Sequence, residues 1–439
     1  MERKKNTMSR KIIKLLALTC ALVMALSGCN LIRIDEDMDA AEVVASFDGG
    51  VVTKGEVLPE YESTVEYYEY LSYYYGYSFS TDGVLESVVN NLVERKILLA
   101  KAAELGLDAL TEEEEAEVIA TAEGEFEDTL MTYWDNFAAE GLSDEQIRAD
   151  VEAYLAENEY TPELIAEARR EDKIIEKLQQ TVFETVVISP EDVKAEYDAM
   201  VAADQASYAD LYVFESAVTS GGVTVAWYPE GYRTVKHILL SFTDEQMAEL
   251  ANIDSQIADL EDQIAALEGG EAPAQEGDEI VLTADQLQMQ IDALETTKEE
   301  KMAEYIAVLQ PTIDEIYGRI EAGDDFQTLI DEYNEDQGME SIEGYYVCAD
   351  SQTWVPAFRD GAMALENIGD VSEPVATNYG VHIIRYHSDV TAGAVPFEQI
   401  EDVAEANATA DKHSAAFAEQ AAAWVEEANV VIDLSVIEE

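Results

Sequence analysis

Residues 354–384 carry the strongest structural signal in the chain, reading WVPAFRDGAMAL at 354–365 and IGDVSEPVATNYGVHII at 368–384. Four shorter pieces precede them in a set order: TVKHILL at 234–240, GDDFQTLI at 323–330, YNED at 333–336 and GYY at 344–346. The first has the apolar pattern of a buried strand with one histidine, and the second predicts a turn that enters a helix. This order of motifs is hard to obtain by chance.

These segments resemble the parvulin family of peptidyl-prolyl cis/trans isomerases. The resemblance implies a β-α-β-β fold with a small antiparallel sheet. In that fold two strand histidines face each other at the floor of a proline pocket, and the matching positions are His237 and His382. The acidic position of the family matches Asp336. The resemblance therefore implies that His237, Asp336 and His382 are the candidate catalytic residues.

The same resemblance implies a set of substrate-binding residues. The apolar pocket wall matches Tyr346, Trp354 and Phe358, and Thr377 matches the hydroxyl that bonds one histidine. Tyr379 falls near the pocket rim. Trp354 is bulkier than the usual residue of the wall, which narrows the expected pocket.

The chemistry of this family suits the residue types. Rotation about an X-Pro bond breaks amide resonance over a barrier of roughly 18–20 kcal/mol, and no covalent bond is made or cut. The reaction needs an apolar slot for the pyrrolidine ring and a polar network near the twisted carbonyl. We therefore expect no metal and no cofactor.

Composition and charge limit the possible partners. The chain has 439 residues, 48% of them hydrophobic, and a formal net charge of −69. This length allows two to four domains, and the apolar content is enough for packed cores. A protein this acidic repels phosphate backbones, which argues against nucleic acid as a partner and leaves unfolded or basic polypeptides. The three cysteines, Cys20, Cys29 and Cys348, do not have metal-ligand spacing.

The N-terminus has the layout of a secretory signal. Six basic side chains precede a short apolar run that ends near Leu26, and Leu26-Ser27-Gly28-Cys29 resembles the lipobox of bacterial lipoproteins. The resemblance implies cleavage after residue 28 and lipid modification of Cys29. The mature chain then has a net charge of −74, and residues 29–41 are predicted to form an acidic tether.

The region from 42 to 232 is predicted to be mainly helical. It opens with a strand, an Asp-Gly-Gly turn and a return strand at 43–53, and Thr111 with Glu114 predicts a helix-capping box. Eight tyrosines lie between Tyr61 and Tyr77. We favour a helix that buries this aromatic face, and the alternative is an adaptable surface for client chains. Residues 208–232 read as a hairpin-like passage.

Heptad spacing of apolar residues predicts a helical hairpin inside the parvulin unit. Its first seam runs from Leu250 to Leu267 and its second from Leu287 to Leu309, with a loop at about 269–282 and a break at Pro311. The acidic residues at the start of the hairpin (Asp244, Glu245, Glu249) argue against phosphate-directed specificity. The arm is either a rigid spacer or a contact surface for clients or a partner.

The predicted fold class is α+β, with a helical N-terminal chaperone-like domain and a parvulin β-α-β-β domain that carries an inserted antiparallel coiled-coil hairpin. The predicted boundaries are a signal peptide at 1–28, a tether at 29–41, a SurA/PrsA-like helical domain at 42–232, the parvulin domain at 233–390 with the hairpin at 243–310, and a C-terminal helix and strand at 391–439 that pack on the N-terminal domain.

The leading functional interpretation is a lipid-anchored extracytoplasmic foldase that isomerises X-Pro bonds and holds exported chains. A non-catalytic chaperone or assembly factor that uses the parvulin unit only for binding is the alternative. A third possibility is a scaffold whose arm docks a membrane partner. The residues give no oligomeric state and no client identity.

Overall fold

The structure is a computed structural model that describes residues 39–76, 78, 80–138, 142–269, 282–339 and 344–438. The predicted signal peptide, Cys29 and all but the end of the predicted tether lie outside these residues, as do Tyr77 and most of the predicted hairpin loop. Within the described residues, no helix is both long and apolar enough to span a lipid bilayer.

Thirteen helices are named here within the described ranges: α1 (Lys54–Tyr75), α2 (Val84–Glu104), α3 (Glu112–Phe137), α4 (Asp144–Glu157), α5 (Pro162–Phe183), α6 (Pro190–Ser207), α7 (Leu211–Ser220), α8 (Asp244–Glu268), α9 (Ala284–Ala322), α10 (Phe326–Tyr333), α11 (Pro356–Met363), α12 (Phe397–Glu427) and α13 (Ser435–Glu438). The strands are β1 (Val43–Phe47), β2 (Gly50–Thr53), β3 (Trp227–Tyr228), β4 (Arg233–Ser241), β5 (Tyr345–Val347), β6 (Val375–Thr377), β7 (Gly380–Asp389), β8 (Gly393–Ala394) and β9 (Val431–Ile432). The predicted α+β class is confirmed.

The chain divides into two compact units. The first comprises the chain up to Val187 together with the residues from Asp411 onward, and the second runs from Ile188 to Ala410. This division differs from the predicted boundaries at 232/233 and 390/391, which stay predictions about functional domains.

The first unit is built on a small sheet with helices around it. Its strand order is β2-β1-β9, and both pairings are antiparallel. The predicted hairpin at 43–53 is present, and β9 from the chain's C-terminal end lies in the same sheet. The predicted capping box at the start of α3 is also present, because Thr111 and Glu114 exchange hydrogen bonds between side chain and backbone.

The tyrosine-rich helix α1 differs from the favoured interpretation. Five of its tyrosines are more than half exposed, namely Tyr67, Tyr70, Tyr73, Tyr74 and Tyr75, whereas Tyr61 and Tyr68 pack partly against the core. One helix cannot bury two faces at once, so the tyrosines away from the core remain at the surface. We call these five residues the tyrosine surface.

The second unit contains a four-stranded antiparallel sheet of order β5-β4-β7-β6. β4 and β7 pair over their full length, from Arg233 opposite Asp389 to Ser241 opposite Gly380. Helices α10 and α11 contribute the buried side chains Phe326, Leu329, Ile330 and Phe358 to the core of this sheet. This packing places the loops after α10 and before α11 beside the central strand pair.

Helices α8 and α9 leave the sheet after β4 and return before α10, at the position of the predicted hairpin. Leu250, Ile253, Leu287 and Ile291 of the predicted seams are buried. The predicted break at Pro311 is wrong, because α9 continues to Ala322. Ile313 and Ile316, just after the proline, are buried in the core of the four-stranded sheet, and this tertiary packing overrides the helix-breaking tendency of proline.

The hairpin-like interpretation of residues 208–232 is wrong for its first half, which forms helix α7. The Asp210 side chain caps this helix by accepting a hydrogen bond from the backbone N–H of Tyr212. Two glycines with positive φ, Gly221 and Gly222, follow the helix. Within 208–232 the strand is Trp227–Tyr228, and it pairs with β8.

Candidate active site

The two predicted histidines lie side by side on the central strand pair. His382 on β7 is opposite Leu239, so His237, two residues earlier on β4, is its diagonal neighbour on the same face of the sheet. Their Nδ1 atoms are 3.2 Å apart. Only 2% of His237 and 5% of His382 is exposed. The two rings therefore form the floor of the site and have almost no contact with solvent.

Asp336 reaches His237 from the turn that follows α10. Its Oδ2 accepts hydrogen bonds from His237 Nε2 at 2.9 Å and from the Tyr345 hydroxyl at 2.7 Å, and its Oδ1 accepts one from the Gly338 N–H at 2.9 Å. The hydrogen bond from His237 is the main cause that holds the pKa of Asp336 far below its usual range. Asp336 is therefore ionised throughout the physiological pH range.

The backbone beside Asp336 is tied to β4, which fixes the carboxylate relative to the histidine. Asn334 Oδ1 accepts a hydrogen bond from the Leu239 N–H at 2.9 Å, and the Glu335 N–H donates to the Leu239 carbonyl at 3.0 Å. These two bonds attach the segment before Asp336 to Leu239 of β4 and leave Asp336 facing His237.

Thr377 completes the polar row at the far side of His382. Its Oγ1 lies 2.9 Å from His382 Nε2. Burial, with a smaller contribution from the neighbouring His237, lowers the pKa of His382 to about 3. Hydrogen bonds therefore run without a break from Thr377 through His382 and His237 to Asp336.

Three aromatic side chains cover the polar row. The Phe358 ring packs edge-to-face against both histidines, with centroids 5.2 Å from His237 and 5.1 Å from His382. The Tyr345 and Trp354 centroids are 4.5 Å apart, and Trp354 is 5.5 Å from Phe358. Trp354 is held by a hydrogen bond from its Nε1 to the Tyr346 carbonyl at 2.8 Å. An apolar wall thus stands over a polar floor.

The structure brings together six of the predicted site residues: His237, Asp336, His382, Thr377, Trp354 and Phe358. Tyr379 lies in the turn between β6 and β7, where its side chain is 54% exposed and its N–H donates to Thr377 Oγ1 at 3.1 Å. Its role at the rim of a proline pocket stays a prediction.

Tyr346 does not join this group. Its ring stacks on Tyr228 at 5.8 Å and packs against Phe214, in a separate aromatic cluster. Tyr345, which is not among the predicted site residues, faces the site instead. The register explains the difference, because Tyr345 pairs with Val235 on the His237 face and Tyr346 pairs with Thr234 on the opposite face. Strand alternation counted from His237 would have identified Tyr345 once this register was known.

Two family profiles match the chain. The PPIC-type PPIase (rotamase) domain matches residues 291–388, and the SurA-like N-terminal domain matches residues 1–179. The first match begins within α9 and contains Asp336 and His382 but not His237. The structure supplies the missing strand, because β4 lies between β5 and β7 although the arm separates them in sequence.

The individual relatives that match parts of the chain are named as foldases and chaperones. Foldase protein PrsA of Halalkalibacterium halodurans is 36% identical over 127 residues, which is 26% of this chain and 37% of the relative. Chaperone SurA of Pseudomonas fluorescens is 41% identical over 69 residues, 16% of each chain. The solved structure of PrsA from Bacillus subtilis aligns over 89% of this chain and 94% of its own, with 16% identity and a TM-score of 0.20.

The matched region spans little more than a third of the length of the PrsA relative. The similarity therefore applies to the two matched regions and not to the whole length of that relative. The rotamase profile covers the strand with His382, and the SurA-like profile covers the helical region before it. The chain thus combines a region that matches PPIC-type PPIase (rotamase) domains with a region that matches SurA-like N-terminal domains, and in these regions it resembles the PrsA and SurA proteins.

Proposed function

We propose that this protein catalyses cis/trans isomerisation of X-Pro bonds in exported polypeptides and holds such chains while they fold. The observation that carries the proposal is the continuous hydrogen-bonded row from Asp336 to Thr377 beneath the wall of Tyr345, Trp354 and Phe358. Such a site offers a pyrrolidine ring an apolar slot beside fixed polar groups.

The apolar wall acts on the amide through desolvation. A planar amide is strongly dipolar because of its resonance, and twisting the bond removes that resonance. An apolar environment therefore disfavours the planar ground state more than the twisted state. Trp354, which is half-buried at the edge of the wall, is placed to contact the proline ring, whereas Phe358 lies deeper and supports the wall from beneath.

The histidines act as positioning residues. Both rings are nearly sealed from solvent, so a bound peptide meets Asp336, whose side chain is 25% exposed, before it meets either imidazole. Asp336 accepts three hydrogen bonds and thereby fixes Tyr345 in the wall and His237 in the floor. This arrangement gives a preorganised site that does not have to reorganise as the bond rotates.

Holding of client chains is proposed for the first unit. The SurA-like profile covers this region, and the tyrosine surface offers large amphipathic side chains at low entropic cost. The high acidic charge keeps the protein soluble while such residues are exposed. We also propose that the protein works outside the cytoplasm and is anchored to the membrane by lipid on Cys29, on the basis of the signal-like N-terminus.

An X-Pro isomerisation assay on a short peptide tests the proposal. We expect Asp336→Ala and Phe358→Ala to lower kcat/KM by about 10- to 100-fold. Matched controls are Asp350→Ala, at an exposed carboxylate of the same unit, and Phe326→Ala, at a phenylalanine that is buried in the same core and whose ring contacts Arg385. The controls should retain most of the activity.

The same proteins should be tested for suppression of aggregation of a denatured client. If wild type and variants all match the uncatalysed isomerisation rate while aggregation is still suppressed, the isomerase proposal is wrong and the non-catalytic chaperone explains the protein. If neither activity is found, both proposals are wrong.

A further inference from the structure

The base of the helical arm contacts the turn that carries Thr377. Asp254, in the third turn of α8, accepts a hydrogen bond from Asn378 Nδ2 at 2.5 Å through Oδ2. Its other oxygen pairs with Lys298 on α9, also at 2.5 Å. The Asp254 carboxylate therefore joins both helices of the arm to the β6–β7 turn.

This turn positions the last member of the polar row. Asn378 lies between Thr377, whose Oγ1 is 2.9 Å from His382 Nε2, and Tyr379, whose N–H donates to that same Oγ1 at 3.1 Å. The Tyr379 carbonyl accepts a hydrogen bond from the Phe242 N–H at 2.9 Å. The turn is thus held through its backbone by the end of β4 and through the Asn378 side chain by the arm.

The arm is firmly seated at this end. The Phe242 ring, which directly follows β4, packs edge-to-face on Tyr305 of α9 with centroids 5.5 Å apart, and Leu250 of α8 is fully buried in the same cluster. Tyr305 also donates a hydrogen bond to Glu249, which pairs with Lys301. Because these contacts immobilise the first turns of α8, the position of Asp254 relative to the turn is fixed.

We propose that the Asp254–Asn378 contact is a brace through which the inserted arm holds the Thr377 hydroxyl against His382. Asp254 and Asn378 are then positioning residues for the isomerase site, and the arm is part of the enzyme rather than a passive spacer. This inference rests on the isomerase activity proposed above, since the brace acts on the same polar row.

The direct test is removal of the brace by Asn378→Ala or Asp254→Ala in the otherwise intact protein. We expect kcat/KM for a short X-Pro peptide to fall about three- to tenfold, the range expected for loss of one hydrogen bond that positions a group. Asp259→Ala, which removes an exposed carboxylate five residues further along α8, is the matched control and should leave kcat/KM unchanged.

Two further readouts separate a positioning role from general loss of structure. NMR of labelled histidine should show a shifted His382 Nε2 resonance in both alanine variants, and hydrogen exchange of the Tyr379 amide should become faster. Asp254→Asn keeps an oxygen that accepts from Asn378, so it should restore the wild-type His382 signal and most of kcat/KM.

Failure of the brace and failure of the proposed isomerase function give different results in these measurements. If wild type does not accelerate isomerisation but the His382 and Tyr379 signals change as expected, the brace exists and the isomerase proposal is wrong. If wild type is active and both alanine variants match it in rate, His382 resonance and Tyr379 exchange, the brace is refuted. Failure of Asp254→Asn to restore the His382 signal would also contradict it.

Discussion

Glu215 on α7 is the buried carboxylate whose removal should damage the second unit most. It is 1% exposed, and it accepts hydrogen bonds from the Tyr232 hydroxyl at 2.9 Å and the Thr353 N–H at 3.2 Å. The Ser351 and Thr353 side chains are further donors. Thr353 and Ser351 belong to the segment that leads into Trp354, so Glu215 anchors the wall of the site from outside it.

The expected decrease in the free energy of unfolding follows from the hydrogen-bond donors that Glu215→Ala would leave without an acceptor. Each residue that loses its hydrogen bonding to this buried carboxylate costs about 1–2 kcal/mol, so the three residues give about 3–6 kcal/mol of lost stability. Glu215→Gln retains one acceptor oxygen but brings in a buried NH2 group, and we expect a smaller loss of about 2–3 kcal/mol. Glu230→Ala, at an exposed carboxylate of the same unit, is the control and should change stability by less than about 0.5 kcal/mol.

Cys348 is a built-in probe for this measurement. Its thiol is free and buried, and it lies 3.5 Å from the Ser351 hydroxyl. In a chain whose Cys20 and Cys29 are replaced by serine, the rate of thiol labelling at low urea reports opening of this unit. A loss of 3–6 kcal/mol corresponds to labelling about 10²- to 10⁴-fold faster.

The pH dependence gives an independent check. Burial alone would raise the pKa of Glu215, but the hydrogen bonds from Ser351, Thr353 and Tyr232 outweigh burial and leave the pKa below its usual value. The stabilisation is then complete above the pKa of the unfolded chain, about 4.3, and decreases as the pH falls toward the folded-state pKa. The stability gap between wild type and Glu215→Gln should therefore narrow below about pH 4. A labelling rate in Glu215→Ala within twofold of Glu230→Ala would refute the reasoning.

Three further predictions concern other parts of the molecule. Burial lowers the pKa of His382 to about 3, so its imidazole NMR signals should stay constant from pH 8 to pH 4. The stability of the protein should fall below about pH 6.5, because the histidine of the unfolded chain takes up a proton there. A titration of His382 near pH 6.5 in the folded protein would contradict this. Gly380 has φ +148°, and a Cβ there would lie 2.1 Å from the Leu240 carbonyl oxygen. Gly380→Ala should therefore lower the free energy of unfolding in urea by about 2–3 kcal/mol. A decrease below about 0.5 kcal/mol would show that the turn adapts to the added methyl group. Replacing Tyr73 and Tyr74 by serine should weaken suppression of client aggregation without changing kcat/KM for a short peptide, and unchanged suppression would exclude these side chains as the holding surface.

Part of the site was predictable because the relevant residues lie close to one another in short motifs. Phe358, Thr377 and His382 fall within one continuous run, and Asp336 follows a helix signal. Tyr345 could not be separated from Tyr346 by composition, because their difference is one of strand parity and depends on pairing with a strand more than 100 residues earlier.

The features that could not be predicted from the sequence depend on contacts between residues far apart in the chain. Glu215 reads as an ordinary helix residue, since its partners Tyr232 and Thr353 are 17 and 138 residues away. Likewise, the continuation of α9 through Pro311 is decided by the burial of Ile316 in a core that local propensity does not describe.

The order of strands has a consequence for folding during synthesis. The arm is inserted between β4 and β7, the second unit is inserted within the first, and β1 finds its partner β9 only near the end of the chain. Closing such long loops is slow because of their entropy, and a locally formed hairpin shortens the loop that β4 and β7 must close. As the chain emerges, the arm can therefore form first and the four-stranded sheet of the second unit second. The sheet of the first unit is completed last, so a chain that stops before β9 would contain a complete four-stranded sheet and an unfinished three-stranded sheet.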